Sequence, residues 1–315
     1  MIYILFLIAL FTIELIYFKI ANSFNIIDKP NERSSHSSVT LRGGGVIFYF
    51  GALGFFFLDG FQYPWFFVGL TLISSVSFAD DIRPQSSKLR LSVHFAAMVM
   101  MFYQWGLYSQ YWYFALIALI VCTGILNAYN FMDGINGMTG VYSLVVIGAL
   151  WYLNTYQYHY VDNEFIYAVL LALFVFIFFN FRTNAKCFAG DVGAISTAFL
   201  LVFLIGRLII ETNDFSYIIL FAVYGVDSVL TIIHRLILKE NIFQPHRKHA
   251  YQILANELKI PHLTVAIFYA LLQGLIMLGF FFFKSHSYIF LSSVIAILSM
   301  AYVLLKMKYF HLHKI

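Results

Sequence analysis

The sequence predicts an all-α protein, a polytopic transmembrane bundle of about eleven spans that forms a single domain over residues 1–315. Of the 315 residues, 62% are hydrophobic and 11% are charged, whereas a soluble domain has about 25% charged residues. Phenylalanine alone occurs 36 times, which is more apolar surface than a water-soluble core can enclose. Apolar stretches of helical length recur between short polar breaks. The lipid bilayer is therefore the expected surrounding of most of the chain.

Each predicted span is an apolar run bounded by polar residues, glycine or proline. The first run has no basic residue before it, so it lacks the start of a cleaved signal peptide and is interpreted as a retained span. The second and third runs are short for a bilayer core of ~30 Å. In chain order the predicted spans are 2–20, 45–58, 65–79, 91–105, 112–129, 138–155, 164–180, 193–210, 217–237, 263–283 and 288–306.

The basic residues predict the orientation of these helices. If the N-terminus is outside, every lysine and arginine except Arg207 and Lys284 lies in or beside a cytoplasmic segment. Basic residues accumulate on the cytoplasmic side, so we expect an N-out, C-in, multi-pass protein of the inner (plasma) membrane with its active site at the cytoplasmic face. No basic stripe with interleaved aromatic residues lies outside the spans, which argues against nucleic acid as a partner.

The first cytoplasmic loop ends in three glycines. Arg42 precedes Gly43–Gly45, and the polar stretch from Asp28 to His36 lies upstream. Glycines let backbone N–H groups approach a phosphate closely, and a guanidinium binds phosphate with two donors at once. Arg42 is therefore a candidate for phosphate binding, and a flexible turn before a helix is the alternative.

Two adjacent acids, Asp80 and Asp81, end the third span. Neighbouring carboxylates repel one another, so the pKa of one of them is expected to rise. Such a pair suits a proton acceptor or an indirect contact to a metal ion. A helix end capped by solvated acids is an equally good interpretation of this motif alone.

The third loop places polar side chains at intervals of three, at Asn127, Asn130, Asp133 and Asn136. On helical geometry this spacing lines up four oxygen-bearing groups along one face. Such a face is costly beside lipid unless it meets a metal, a ligand or a polar cavity. Amide and carboxylate oxygens suit Mg²⁺ rather than zinc.

The fourth loop carries Asp191 between Gly190 and Gly193, just before a span, with Lys186 and Arg182 upstream. A carboxylate flanked by glycines can reach Mg²⁺ with little steric obstruction, and the two basic residues can balance phosphate charge. The alternative is an acid that caps the next helix.

The fifth loop contains His246-Arg247-Lys248-His249. Two histidines around an arginine and a lysine can bind a diphosphate by charge-assisted hydrogen bonds. A zinc pair lacks a nearby third ligand, and plain basicity beside the membrane does not explain the histidines. Asp227, inside the ninth span, is a separate candidate site, with Arg235 or His234 as expected partners, and a buried structural ion pair is an equally good interpretation.

These motifs occur in order over nearly the whole chain: Asp80-Asp81, Asn127-x-x-Asn130-x-x-Asp133-Gly, Gly190-Asp191-x-Gly193 and His246-x-x-His249. Together they resemble the polyprenyl-phosphate N-acetylhexosamine-1-phosphate transferases (glycosyltransferase family 4), which include the bacterial muramoyl-pentapeptide and N-acetylglucosamine phosphotransferases. The Pro-Asn-x-Arg-Ser-Ser-His, Arg-Gly-Gly-Gly and His-Arg-x-His-Ala-Tyr-Gln stretches are most similar to the O-antigen initiating branch of that family.

The resemblance implies Mg²⁺, with Mn²⁺ as an alternative, held by Asp191 and by Asn130 as second ligand. It implies that Asp80 and Asp81 serve the acceptor phosphate and that the His246–His249 loop contacts the diphosphate or the sugar. Asn136 stands where many bacterial members have a second Asp. The complete set of expected catalytic residues is Asp80, Asp81, Asp133, Asp191, His246 and His249, and the expected substrate-binding residues are Arg42, Asn127, Asn136, Lys186 and Arg247.

The expected reaction transfers the sugar 1-phosphate of a UDP-amino sugar to undecaprenyl phosphate and releases UMP, as a first membrane step of cell-envelope polysaccharide synthesis. Direct attack by the lipid phosphate is favoured, and a covalent route through an Asp nucleophile stays open. The rival hypothesis is a multi-span transporter that uses Asp227. The sequence leaves open the sugar, the glycan and whether the protein forms a homodimer.

Overall fold

A computed structural model of the protein describes residues 1–30, 39–242, 244 and 246–312. The Pro-Asn-x-Arg-Ser-Ser-His stretch lies largely outside the described residues. The described α-helices are α1 (Ile2–Ser23), α2 (Val46–Leu58), α3 (Pro64–Ile82), α4 (Ser87–Gln104), α5 (Trp112–Met132), α6 (Met138–Leu153), α7 (Asn163–Asn180), α8 (Gly190–Thr212), α9 (Ala222–Ile237), α10 (Ala250–Gln252), α11 (His262–Phe282) and α12 (Ser287–Tyr309). Two short strands, β1 (Ile27–Asp28) and β2 (Thr40–Leu41), form an antiparallel pair. The all-α prediction is confirmed.

Nine helical segments within the described residues are long and apolar enough to cross a membrane, which confirms the polytopic membrane class. Every predicted span coincides with a helix. However, α2 has 13 residues, and α4 begins with the charged residues Lys88 and Arg90. These two helices are the shorter and the more polar ones, so the total of eleven spans and the N-out orientation stay predictions.

The helix α8 lies at the centre of the bundle, where it contacts α2, α3, α5 and α6. Its residues from Val192 to Ile205 are all buried. Phe199 and Phe203 of α8 stack on Phe66 of α3, with ring centroids 5.4 and 4.0 Å apart. By contrast, α1 and α12 expose long apolar stretches. This arrangement fits a bundle whose outer helices face lipid and whose central helix is enclosed by protein.

Five of the connections between helices lie at one end of the bundle. Because successive membrane helices alternate in direction, residues 24–45, 83–86, 133–137, 181–189 and 238–261 all connect helices at the same end. Hydrogen bonds and ion pairs connect these loops to one another and to the helix ends beside them. This is the end that the basic residues predict to be cytoplasmic.

Candidate active site

The glycine run of the first loop packs backbone against backbone on the start of α8. The N–H of Gly44 donates to the carbonyl of Phe188 at 2.9 Å, and that of Gly45 donates to Ala189 at 3.1 Å. A Cβ atom on Gly45 would overlap the Cα atom of Gly193. Glycine is therefore required here for close approach. Two of the three N–H groups expected to face a phosphate are already bonded to carbonyls, so the backbone part of that expectation is wrong for Gly44 and Gly45.

Asp81 holds the first turn of α8. Its carboxylate accepts the backbone N–H of Asp191 at 2.8 Å and of Val192 at 2.9 Å. The Nε atom of Arg42 lies 2.7 Å from Asp81 Oδ1, and the Asp81 side chain is fully buried. These N–H groups have no partner within their own helix, so a buried carboxylate that accepts both stabilises the helix start. Asp81 thus joins α3, α8 and the first loop.

Four charged side chains from four segments meet beside this helix start. Arg42 Nη2 lies 3.5 Å from Asp191 Oδ1. Arg90, at the start of α4, lies 3.0 Å from Asp80 and 3.8 Å from Asp191 through its Nη1 atom. Asp80 and Asp191 therefore lie close to the same Arg90 nitrogen. The second and fourth loops therefore meet here, where Asp80 and Asp191 both lie close to Arg90.

The adjacent acids Asp80 and Asp81 point toward different partners. Asp80 turns toward Arg90 and accepts the N–H of Gln85 at 2.6 Å, whereas Asp81 turns toward α8. The two adjacent acids therefore have separate partners. Asp80 is the more accessible of the two, and Asp81 is enclosed. The helix-capping alternative describes Asp81, although the helix that it caps is α8 and not its own.

The predicted ladder of the third loop is interrupted. The helix α5 ends at Met132, and Gly137, with φ of 83°, begins α6. Helical spacing therefore extends over Asn127 and Asn130 only. Asn127 is exposed and its amide donates to Thr123 of its own helix at 2.9 Å. It does not join the charged cluster, and the expected single face of four polar groups is wrong.

Asn136 is buried and binds the fourth loop. Its amide donates to the carbonyls of Arg182 and Thr183 at 2.9 and 3.0 Å. From the opposite direction, Asn180 accepts the N–H of Gly137 at 2.8 Å and donates to Cys187 at 2.8 Å. The two asparagines hold the third and fourth loops together. With both amide hydrogens of Asn136 on carbonyls, its present role is structural.

Asp133 is the acid that the third loop does contribute to the site. Thr139 donates to its Oδ1 atom at 2.7 Å. Burial raises the pKa of Asp133 to about 6, and the hydrogen bond from Thr139 opposes part of this rise. The charge of Asp81 raises the pKa of Asp133 and the charge of Arg42 lowers it, so Asp133 interacts electrostatically with the charged cluster. Asn130, one helical turn earlier, is half-buried.

The fifth loop reaches the third loop through Tyr251. Its hydroxyl donates to the carbonyl of Phe131 at 2.9 Å, and it leaves no space for a side chain at Gly134. The rings of His246 and His249 lie 4.9 Å apart, and both contact Phe131. The histidine loop therefore lies against the end of α5, next to the third loop.

The two histidines differ in their surroundings. Burial, and then the nearby His249, Arg235 and Lys306, lower the pKa of His246 to about 3. His246 is therefore neutral at pH 7 and offers an uncharged ring to a ligand; its expected contact with a diphosphate stays a prediction. His249 is almost fully buried, and its Nδ1 atom lies 3.4 Å from Asp227.

Asp227 does not pair with Arg235, one of the two partners expected for it. Arg235 is turned away, donating to the carbonyls of Ile242 and Gln244 and to the carboxylate of Glu240. Asp227 accepts instead from the fifth loop, because His249 and the residues that follow it fold back onto α9. The pairing spans more than twenty residues, so helical spacing within α9 could not predict it.

Lys186 lies apart from the charged cluster. Its side chain is exposed and lines a cavity of ≈ 720 Å³ between the end of α1 and the fourth loop, together with Lys19, Asn22 and Asn184. A basic residue that lies beside Asp191 instead is Arg90. Its contact with Asp191 is not local in sequence, and no spacing rule could have found it.

The donor set fits a hard cation. Asp80 and Asp191 present carboxylate oxygens toward each other, and Mg²⁺ commonly binds one or two carboxylates and completes its shell with water and phosphate oxygens. Among the described residues, no three acidic, histidine or cysteine side chains surround a common point. The residues present therefore suit an ion that is shared with a phosphate ligand rather than one enclosed by protein.

Comparisons with known proteins agree with this geometry. The pattern of glycosyl transferase family 4 matches residues 63–209, which include the acids of the second, third and fourth loops. A probable undecaprenyl-phosphate N-acetylglucosaminyl 1-phosphate transferase of Bacillus subtilis is 23% identical over 75% of this chain and 71% of its own. An undecaprenyl-phosphate α-N-acetylglucosaminyl 1-phosphate transferase of Thermotoga maritima is 24% identical over 87% and 89%. A phospho-N-acetylmuramoyl-pentapeptide-transferase of Thermotoga petrophila is 27% identical over 68% and 76%.

The fold and the site define a membrane-embedded phosphotransferase whose acidic and basic groups converge at one end of a helical bundle. The chain is similar to the polyprenyl-phosphate N-acetylhexosamine-1-phosphate transferases, and its residues 63–209 match glycosyl transferase family 4.

Proposed function

We propose that this enzyme transfers an N-acetylated sugar 1-phosphate from a UDP-sugar to undecaprenyl phosphate, with release of UMP. The observation that carries the proposal is the meeting of Asp80, Asp191, Arg42 and Arg90 at the loop end of the bundle. A membrane position suits a lipid acceptor, and two guanidinium groups suit phosphate oxygens. The names of the similar proteins support the same acceptor and the same sugar 1-phosphate class.

In the reaction, an oxygen of the lipid phosphate forms a bond to the β-phosphorus of the UDP-sugar, the phosphorus that carries the sugar. The bond from this phosphorus to the bridging oxygen breaks, and UMP leaves with that oxygen. Phosphoryl transfer depends mainly on positioning and on neutralisation of charge. The acceptor phosphate has its second pKa near 6 and is largely dianionic at pH 7, so no strong base is required.

The residues take separate parts in this scheme. Asp80 orients the acceptor phosphate or accepts its remaining proton, and Arg42 and Arg90 neutralise phosphate charge. Asp80 and Asp191 would hold Mg²⁺, with Mn²⁺ as an alternative and Asn130 as a further oxygen donor. When bound, the ion neutralises charge on the diphosphate. The fifth loop, with Arg247 and the two histidines, contacts the donor.

The position of the reaction in the cell follows from its substrates. We propose an inner-membrane enzyme that carries out the first membrane step of a cell-envelope polysaccharide, with the active site on the cytoplasmic side, where UDP-sugars are made. The O-antigen type of glycan is one member of this class. The transporter hypothesis is disfavoured, because four hydrogen-bond donors and the His249 ring already surround the Asp227 carboxylate on which it depended.

The test uses the purified protein in nanodiscs with undecaprenyl phosphate, Mg²⁺ and a panel of UDP-sugars. We expect UMP release with at least one N-acetylated sugar and a lipid-linked sugar diphosphate in the mass spectrum. Asp191→Asn should abolish turnover, and Asp59→Asn, at the opposite end of the bundle, should not change it. Absence of UMP release with every donor, or full turnover by Asp191→Asn, would contradict the proposal.

A further inference from the structure

A carboxylate buried inside a membrane helix is costly unless it is fully satisfied. Asp227 of α9 accepts hydrogen bonds from the Tyr269 hydroxyl at 2.8 Å, from the N–H of Ala250 at 2.9 Å and from the Thr231 hydroxyl at 3.3 Å. The N–H of Tyr251 lies at 3.4 Å. The carboxylate thus joins α9, α10 and α11, and it caps the helical turn that begins directly after His249.

The His249 imidazole is the remaining group around this carboxylate. Its Nδ1 atom lies 3.4 Å from Asp227 Oδ1, and both side chains are almost fully buried. Within the described part of the chain, neither ring nitrogen makes a hydrogen bond: Nδ1 is at ion-pair distance from Asp227, and Nε2 has no polar partner. A buried ring nitrogen without a partner is costly in a finished core. It is therefore expected to serve a ligand that the protein alone does not supply.

The backbone around His249 is fixed from both sides. Its own N–H donates to the Gln252 side chain at 3.1 Å. Lys306 of α12 donates to the carbonyl of the preceding residue, Lys248. The ring lies against Phe131 and stacks on Tyr251, which itself binds the third loop. The His249 imidazole therefore lies near the third loop, which carries Asp133.

We propose that Asp227 is a positioning residue for His249, an inference that rests on the proposed function above. The carboxylate keeps the proton on Nδ1 and fixes the ring plane, which leaves Nε2 facing the diphosphate of the donor. In histidines generally, the group that binds one ring nitrogen determines the state of the other. Asp227 does not touch the substrate, and it acts only through the ring and the helix start that it holds.

A double-mutant cycle tests this inference. Asp227→Asn keeps the size of the side chain but presents an amide to the donors around it. We expect kcat/KM for the donor to fall by about tenfold or more, as for other histidines that lose their carboxylate partner. In a His249→Ala background the same change should have less than a threefold effect, because the ring through which Asp227 acts is gone. Asp227→Glu should restore part of the activity.

Matched variants separate positioning from folding. Tyr269→Phe removes a hydrogen bond from the same carboxylate without touching His249, so it should lower the melting temperature in detergent while changing kcat/KM little. A tenfold loss from Asp227→Asn in both backgrounds would contradict the proposal, since it would mean a structural role alone. Unchanged activity in the single Asp227→Asn variant would contradict it as well.

A readout that needs no turnover keeps this inference separate from the proposed function. In protein labelled with ¹⁵N-histidine, the His249 ring, assigned by its loss in His249→Ala, should show a protonated Nδ1 atom in the parent protein. It should show a changed tautomer or a broadened signal in Asp227→Asn. If the parent lacks UMP release but shows this spectrum, the proposed function fails and the pairing stands; an identical spectrum in both proteins overturns the pairing.

Discussion

The carboxylate of Asp81 accepts the backbone N–H of Asp191 at 2.8 Å, although 110 positions separate the two residues in the chain. One acid, at the end of α3, therefore holds the backbone from which the other acid extends. Arg42 contacts both of them. The site is built from two kinds of acid, buried ones that support the backbone and accessible ones that are left to meet ligands, and the predictions below separate the two kinds.

Asp81→Ala should lose both stability and activity. The change removes the cap of α8 and leaves the Arg42 guanidinium without its closest partner, at a cost on the order of 3 kcal/mol. We expect a lower melting temperature in detergent, measured by intrinsic tryptophan fluorescence. Asp80→Asn is the comparison: it should abolish UMP release while the melting temperature stays close to that of the parent protein. Equal melting temperatures for all three proteins would contradict the supporting role of Asp81.

Gly45→Ala should destabilise the protein, because its new methyl group overlaps the Cα atom of Gly193. Forced overpacking typically costs about 1–3 kcal/mol. Gly124→Ala provides the control, since a Cβ atom at that position meets nothing within 4 Å. In α5 this control should be neutral or slightly stabilising. Thermal unfolding of both variants in the same detergent measures the difference, and a Gly45→Ala protein as stable as the control would show that the backbone contact can relax.

Asn136→Asp should be destabilising even though many related enzymes are expected to have an acid there. In this protein the carboxylate would face the carbonyls of Arg182 and Thr183, which now accept two N–H bonds. Leaving buried polar groups unsatisfied costs about 1–3 kcal/mol, and more when one of them is charged. Asn127→Asp, at an exposed position, should have no comparable effect. Circular dichroism melts of the two variants compare them directly.

Asp133 should give the protein a measurable dependence on pH. Its pKa is raised by burial to about 6, so the folded protein binds a proton that the unfolded chain has already released between about pH 4 and pH 6. This contribution to stability is fully present below about pH 4 and is lost as the pH rises through 6. Thermal melts in metal-free buffer should show it, and Asp133→Asn should remove it.

Turnover should depend on the same group in the opposite direction. If the ionised carboxylate is the working form, the rate rises as the pH increases through the pKa of Asp133. Thr139→Val removes a hydrogen bond that favours ionisation, so the midpoint of the rate profile should move to higher pH. A profile that stays in place in this variant would show that another group controls the rate.

The sequence could predict the bundle, the gathering of the loops and the approach of Asp80 to Asp191, because apolar periodicity and basic residues follow simple rules. The interval of three in the third loop was misleading, since α5 ends at Met132, and Gly137 caps the start of α6, before the pattern is complete. Partners across long separations were not predictable. Local spacing within α9 suggested Arg235 for Asp227, and only the folding back of the fifth loop brings His249 there.

The glycine contact between Gly45 and Gly193 has a consequence for motion during the catalytic cycle. Two backbones that touch without side chains between them have no rotamers with which to adjust, so Gly43–Gly45 and the start of α8 should behave as one rigid unit. The fifth loop is attached differently, through the long side chains of Arg235, Tyr251 and Lys306. Any closure over a bound nucleotide is therefore expected in this segment, and hydrogen–deuterium exchange should slow there first when donor is added.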